Sequence, residues 1–408
     1  MTLQTNHHAL VFPQTFARNG APTDDNDGTD FAAITDTSTL PQPVLPPIQH
    51  ATYKAQNTDF VVNEVLELDF TGDGEHLWLH VQKSGVNTAY LAKLLSEWAD
   101  IPLRDVGYSG LKDRQACTTQ WFSLRIPKKI LPEASFAPVD LNTNESIQIL
   151  DLRWHNKKLN RGTHPANQFT ITLRAVQFAD DVSVTEHQQR VEQHLQSMAQ
   201  TGVPNYFGPQ RFGYAGNNIK EALHLFAKEI PKKSESSPKN KRKRPAREQN
   251  AMKLMPLSAA RSLIFNEILA ARVRDKSWNT GLAGEVFNLD GSGSIFATEQ
   301  MDETLRARLD SGDIHPTAVM WGTGNDKVTG TAAHLESEVV QENKILRALA
   351  KGLERHDIKA QRRALRLPVE GLTWQWADEH TLILSFTLTT GSFATSVLAS
   401  LVQHLQST

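Results

Sequence analysis

The run Gly107-Tyr108-Ser109-Gly110-Leu111-Lys112-Asp113-Arg114 sets one carboxylate between two cations in a glycine-bearing stretch, and Thr118-Thr119-Gln120-Trp121-Phe122-Ser123-Leu124 follows it. Glycines punctuate local structure, and alternation with a period of two marks a strand. Val106 to Ile126 therefore reads as strand, loop, strand, with Asp113 in the loop. Loops held by rigid strands are where catalytic groups concentrate. Cations within a few ångströms favour the ionised form of a carboxylate, which suits a nucleophile or a base. Taken alone, a Lys-Asp-Arg triplet is more often a surface ion pair of little consequence. The glycines, the half-buried strand expected after the loop and the lack of helical periodicity lift Asp113 above that reading.

A chain of 408 residues exceeds what one hydrophobic core usually holds, so two domains are expected. Hydrophobic residues at 39% and charged residues at 22% are ordinary for a soluble globular chain. The net charge of −2 argues at first against a nucleic-acid partner. Its distribution along the chain points the other way. Residues 1–47 carry −4, with Asp24, Asp25, Asp27, Asp30 and Asp36 against Arg18, which leaves +2 on the remainder. Phosphate contacts depend on local potential, so a basic patch on that remainder can bind RNA. Cys117 is the single cysteine, which rules out an intrachain disulfide and fits a reducing cytoplasm. The N-terminus has no signal-peptide pattern, and no run approaches the ~20 apolar residues of a membrane span. The fifteen histidines show no metal-ligand spacing, so no metal is expected.

Along the chain, residues 1–47 are polar and end in a proline-rich run, which reads as a disordered or loosely attached extension. Strand composition recurs at Asp59–Leu66 and His76–Lys83, and Leu91, Leu94, Leu95 and Trp98 have helical spacing. Ser183 and Glu186 form a capping box for a helix ending at Gly202. Ser258 is expected to cap a helix through Arg274, and residues 335–355 read as one long helix. Residues 232–247 hold eight cations against Glu235 alone. That run reads as a flexible basic loop, either solvated or touching an RNA backbone, with nuclear import a third reading that nothing else in the sequence supports.

Several motifs, in order, carry a resemblance. They are Lys54 ahead of Asp59-Phe60-Val61-Val62, Lys83 with Asn87-Thr88, Gly110-Leu111-Lys112-Asp113-Arg114, Asn167-Gln168-Phe169-Thr170, the run from Pro204 to Gly213, Leu257-Ser258-Ala259-Ala260-Arg261-Ser262 and Gly391-Ser392-Phe393-Ala394-Thr395. The set is similar to the tRNA pseudouridine synthase D (TruD) family over nearly the whole chain after residue 50. The resemblance implies an α/β (α+β) protein. Its pseudouridine synthase catalytic domain, with a mixed, largely antiparallel sheet, would comprise residues 48–201 and 342–408, with an inserted α/β TRUD domain at 202–341. It implies conversion of uridine to pseudouridine at position thirteen of tRNA, with no metal or cofactor. Separately, nothing in the sequence suggests an obligate partner, so a cytoplasmic monomer is expected. Asp113 matches the catalytic aspartate, Lys54 a cation beside it, and Phe169 an aromatic that stacks on the target base. Asn167 would offer hydrogen bonds, and Arg211 would face the cleft. Without the resemblance, Lys54 reads as a surface lysine and Phe169 as a strand core residue. The rival function is a tRNA-binding chaperone that performs no chemistry.

Overall fold

The computed structural model describes residues 29–138, 141–180, 182–228, 246–324 and 327–407. The predicted basic loop at 232–247 lies outside them except for its last two residues, which begin a helix. A short helix α1 (Phe31–Ile34) precedes strands β1 (Ile48–Tyr53), β2 (Phe60–Val65) and β3 (His76–Ser84). Helix α2 (Thr88–Trp98) leads to β4 (Val106–Tyr108), β5 (Cys117–Arg125), β6 (Ser146–His155) and β7 (Ala166–Gln177). Next come α3 (Val184–Thr201), β8 (Val203–Pro204), α4 (Asn217–Ala227) and α5 (Ala246–Arg274). Strands β9 (Val286–Leu289) and β10 (Ile295–Ala297), α6 (Glu303–Asp310), β11 (Ile314–Met320), α7 (Gly330–Glu342), α8 (Lys344–Arg355) and β12 (Gln361–Ala364) follow. The last elements are β13 (Arg366–Leu367), β14 (Glu370–Asp378), β15 (Thr381–Thr389), α9 (Ala394–Ala399) and β16 (Val402–Ser407).

Two layered units result, each with its own core. In the first, one sheet of ten strands runs β14-β15-β7-β2-β5-β3-β6, with β4 on β5 and β1 bridging β7 and β16. Only β2 with β5 and β1 with β16 pair in parallel, so the sheet is mixed and largely antiparallel. Its helix α3 keeps the predicted ends: the Ser183 hydroxyl accepts the Glu186 amide at 3.2 Å, and Gly202 closes the helix with φ 70°. Strand β5 departs from the half-buried expectation, since it is buried from Thr118 to Leu124. It lies between β2 and β3, with Phe122 and Leu124 in the core below α2 and Trp121 packed with Trp78 and Leu159. A strand covered on both faces makes a rigid stem for the loop that precedes it.

In the second unit, α4, α5, α7 and α8 share one core and pack on the antiparallel sheet β10-β9-β11-β12. Helix α5 starts at Ala246, so Ser258 lies within it and caps nothing. The single helix expected at 335–355 is two helices broken at Asn343, whose side chain accepts the Ile345 and Leu346 amides at 2.9 and 3.1 Å. The expected boundary at 341/342 falls inside this pair. Leu346, Leu349 and Leu353 of α8 share the core of α5, and β12 pairs with β11, so the inserted unit runs on to Leu365. Where the chain leaves and re-enters the first unit, β8 and β13 pair, Val203 opposite Leu367.

The loosely attached extension is also corrected in part. Residues 1–28 lie outside the described part, but 29–47 are packed. Phe31, Ile34 and Leu40 lie on the second core, and the Tyr206 hydroxyl donates to the Pro41 carbonyl at 2.9 Å. Ser400 of the first unit donates to Gln42 at 2.8 Å, so this strap touches both units.

Candidate active site

The loop between β4 and β5 is tied down from below at four of its residues. Gln120 donates to the Gly110 carbonyl at 3.1 Å, and the Thr88 hydroxyl at the head of α2 accepts the Lys112 amide at 3.0 Å. Lys83 of β3 donates its ammonium to the main-chain carbonyl of Asp113 at 2.8 Å. The Arg114 guanidinium donates to the Gly85 carbonyl at 2.9 Å and to Glu145 at 3.0 Å. Gly107 sets the approach, because a Cβ there would lie 2.3 Å from the Leu159 carbonyl oxygen. The result presents the Asp113 side chain, 43% exposed, in an open cleft of about 660 Å³. Lys54, Asn57, Arg114, Glu145 and Gln210 line it as well.

The cation that meets Asp113 is not one of its sequence neighbours. Arg114 turns away to Glu145, and Lys112 points inward. Lys54 instead reaches the Asp113 carboxylate at 2.8 Å, with its own side chain only 7% exposed. Lys54 has φ 58°, a left-handed backbone that costs a non-glycine residue of order 1 kcal/mol and concentrates at functional positions. Its ammonium lies 4.3 Å from the centre of the Phe60 ring, a cation–π seat that fixes its direction. Burial and the nearby Asp113 charge push the Tyr53 hydroxyl above its ordinary range.

Beneath the loop lies a buried polar cluster. Lys112 donates to Asn167 at 2.6 Å and pairs with Glu64 at 3.4 Å, with side chains 6% and 0% exposed. Burial pushes the Glu64 carboxyl up and the Lys112 ammonium down. His164 bonds Ser109 through Nδ1 and faces Lys112 and Asn167 through Nε2. Burial, then the Lys112 charge, holds His164 down to about 4, so its ring is neutral at pH 7. The cluster pins the β4–β5 loop to β2 and to the start of β7.

The expected site residues are therefore distributed as follows. Lys54 and Asp113 form the ion pair. Asn167 stands behind it, its amide oxygen and nitrogen already facing Lys112 and His164. Phe169 is a core residue, 8% exposed, stacked on Phe386 at 5.5 Å and edge-on to Phe60 at 6.1 Å. Most of the ring is covered by these two neighbours. Arg211 lies one residue beyond the cleft wall, which Gln210 forms. Lys83, with Asn87 and Thr88, belongs to the motifs that carry the family resemblance, but no site role is expected of it from sequence. The signal for one is its parity with Leu77, Leu79 and Val81, which puts a lysine on the buried face of β3. Among the described residues, no group of His, Cys, Asp and Glu side chains is arranged to hold a metal, and no helix is long and apolar enough to cross a membrane.

The pattern of the family described as tRNA pseudouridine synthase D (TruD) matches residues 48–237 and 236–401. This chain belongs to the TruD family. A protein of Psychrobacter arcticus named tRNA pseudouridine synthase D is 66% identical over 390 residues, covering 92% of this chain and 96% of that protein. A protein of the same name from Xanthomonas oryzae is 41% identical over 365 residues, covering 90% and 95%. A crystal structure from Methanosarcina mazei assigned to TruD superposes with a TM-score of 0.64 at 21% identity, over 90% of this chain and 97% of that one. That likeness establishes the shared fold. The TruD match opens at Ile48, the first residue of β1, so the strap at 29–47 lies ahead of it. Lys54, Lys83, Asp113, Asn167 and Gln210 all fall within it.

Proposed function

We propose that this TruD-family chain isomerises uridine to pseudouridine in tRNA, at position thirteen, with Asp113 as the group that acts on the target nucleotide. The observation that carries the reading is the Asp113 carboxylate, reachable from solvent in the cleft, held by Lys54 and by main-chain and side-chain anchors below the loop. In the reaction the N1–C1′ bond breaks, the uracil turns, and a C5–C1′ bond forms. The proton leaving C5 is balanced by one gained at N1, so no electrons enter or leave and no cofactor is called for. Attack on the sugar, attack on the base and removal of the 2′ proton each need a carboxylate beside the ribose. In the proposed reaction that part falls to Asp113.

Lys54 directs Asp113 and offers positive charge to the nucleotide. In this reading Asn167 and Phe169 lie on the side that the uracil would meet, and Arg211 serves the RNA from the adjoining wall. Taking a base out of its stack costs a few kcal/mol, which contacts in the cleft must offset. The partner is tRNA, and the enzyme acts as a cytoplasmic monomer.

Tritium release from tRNA carrying 5-tritiated uridine tests the reading, since each turnover frees the C5 hydrogen to water. The wild-type chain is expected to release tritium and Asp113→Asn to release none. Release by both would overturn the role of Asp113. No release by either, with tRNA still bound, would favour the chaperone reading.

A further inference from the structure

We infer that Arg211 and Arg363 together seat one phosphate of the RNA backbone at the seam between the two units, beside the Asp113 cleft. This inference rests on the tRNA reading above and gives that RNA a second point of attachment.

Both guanidiniums lie against one ring, Phe207, at 5.1 Å for Arg211 and 4.3 Å for Arg363. Arg211 also faces Phe393 at 5.7 Å, on the turn that carries Gly391 in the first unit. Their hydrogen bonds go to neutral groups alone. Arg211 donates to the Ser258 hydroxyl at 3.1 Å, and Arg363 to the Asn205 amide oxygen at 2.6 Å and the Gly391 carbonyl at 3.4 Å. Among the described residues neither forms an ion pair with a carboxylate.

Other arginines here divide: Arg261 and Arg366 likewise bond neutral groups, while others are paired with carboxylates. Arg272 is paired with Glu285 at 2.8 Å, and Arg362, the chain neighbour of Arg363, is paired with Glu336 at 2.8 Å. Two cations on one aromatic ring with no acid between them are held at an electrostatic cost. Burial lowers the hold of both on their protons, and for Arg363, brought to about 10, the Arg211 charge adds to it. A phosphodiester supplies the missing negative charge. Its oxygens match the planar N–H fork of arginine. Both residues are partly buried, the Arg363 Nε is buried without a hydrogen-bond partner, and Gln210, next to Arg211, already lines the Asp113 cleft. A strand leaving that cleft toward the inserted unit passes this pair.

The test is the salt dependence of binding, measured with the full chain and an unmodified tRNA transcript. Each phosphate neutralised contributes about 0.7–0.9 to the slope of log affinity against log salt. Arg211→Gln and Arg363→Gln should each lower that slope by about one contact. Because the phosphate is shared, the double variant should lower it by no more than a single variant does. Arg363→Lys, which keeps the charge and loses the fork, should keep the slope while weakening affinity. Thermal unfolding identifies any variant that has failed to fold, and Arg211→Gln, on the more open side, stands in for it. An unchanged slope in folded variants overturns the seat, and a double variant losing two contacts overturns the sharing. If inorganic phosphate raises the wild-type melting temperature while the tRNA slopes stay equal, the pair is a small-anion site and the RNA assignment fails. Absence of any salt-dependent tRNA binding by the wild type would instead strike the function proposed above.

Discussion

Replacing Lys83 by methionine should separate stability from activity. The Lys83 side chain is completely buried, and its one hydrogen bond runs to the Asp113 carbonyl. Burial lowers its pKa from 10.5 to about 8, against the raising effects of Asp113 and Cys117 and with a further lowering from Lys112. Holding that charge inside the fold costs about 3 kcal/mol at neutral pH. Methionine removes this cost and fills much of the same space, but it leaves the Asp113 carbonyl without its donor, a loss of about 1–3 kcal/mol. The two effects nearly cancel, so Lys83→Met should fold with a denaturation midpoint close to that of the wild type. Its loop, however, loses the anchor directly under the carboxylate. A displacement of about 1 Å at a reacting group costs about 100-fold in rate, and that is the fall expected in tritium release at saturating tRNA.

The pH dependence follows in sign. The folded chain binds the Lys83 proton more weakly than the unfolded chain, so wild-type stability gains from this group as pH rises from about 8 to 10.5. Lys83→Met should lack that gain. Wild-type turnover should decline above about pH 8 as the charge-assisted hold on the loop is lost, and the variant should show no such limb. A Lys83→Met enzyme working at the wild-type rate, or one retaining the same alkaline decline, would refute the reasoning.

Three further outcomes follow from the packing. Glu64→Ala strands the buried Lys112 ammonium and should cost about 3–5 kcal/mol in guanidinium unfolding; a loss below about 1 kcal/mol would show that water reaches the pair. His164 is held at about 4 against an ordinary 6.5, so the unfolded chain takes up a proton that the folded chain refuses. Stability should therefore fall as pH drops through 6.5 toward 4, less steeply in His164→Gln, as urea unfolding on either side of pH 6.5 will measure. Gly352→Ala places a Cβ 2.1 Å from the Phe226 ring and should cost about 1–3 kcal/mol by prising α8 from α4. An unchanged melting temperature would contradict that contact.

The strand, loop, strand arrangement around Asp113 was legible because glycines and period-two alternation are local signals. What surrounds Asp113 was less so. Lys112 and Arg114 flank it in the chain, yet both point elsewhere, and the cation it meets stands 59 positions earlier. That pairing is set by the turn of backbone at Lys54 and by the Phe60 ring, which residue spacing does not encode. The break at Asn343 was hidden because helical periodicity continues through it; asparagine as a cap was the available clue. The expected boundary at 341/342 lies close to that break. The charge does change there, from Glu336, Glu338 and Glu342 in α7 to Lys344, Arg347, Lys351 and Arg355 in α8. Charge does not say which core a helix joins, however, and packing against α5 assigns α8 to the second core.

The parallel pairing of β1 with β16 has a consequence for synthesis. Ile48 lies opposite Val402 and Tyr53 opposite Ser407, so a strand made early must wait for one made far later. Strand β7 likewise has one edge bare until β15 arrives. The inserted unit completes its own sheet by Ala364, before either partner is translated. The ribosome thus releases a finished insert attached to an open sheet edge, the kind of surface that invites pairing between chains. Shortening the chain by its final strand should show first as aggregation during expression, ahead of any defect in the active-site residues themselves.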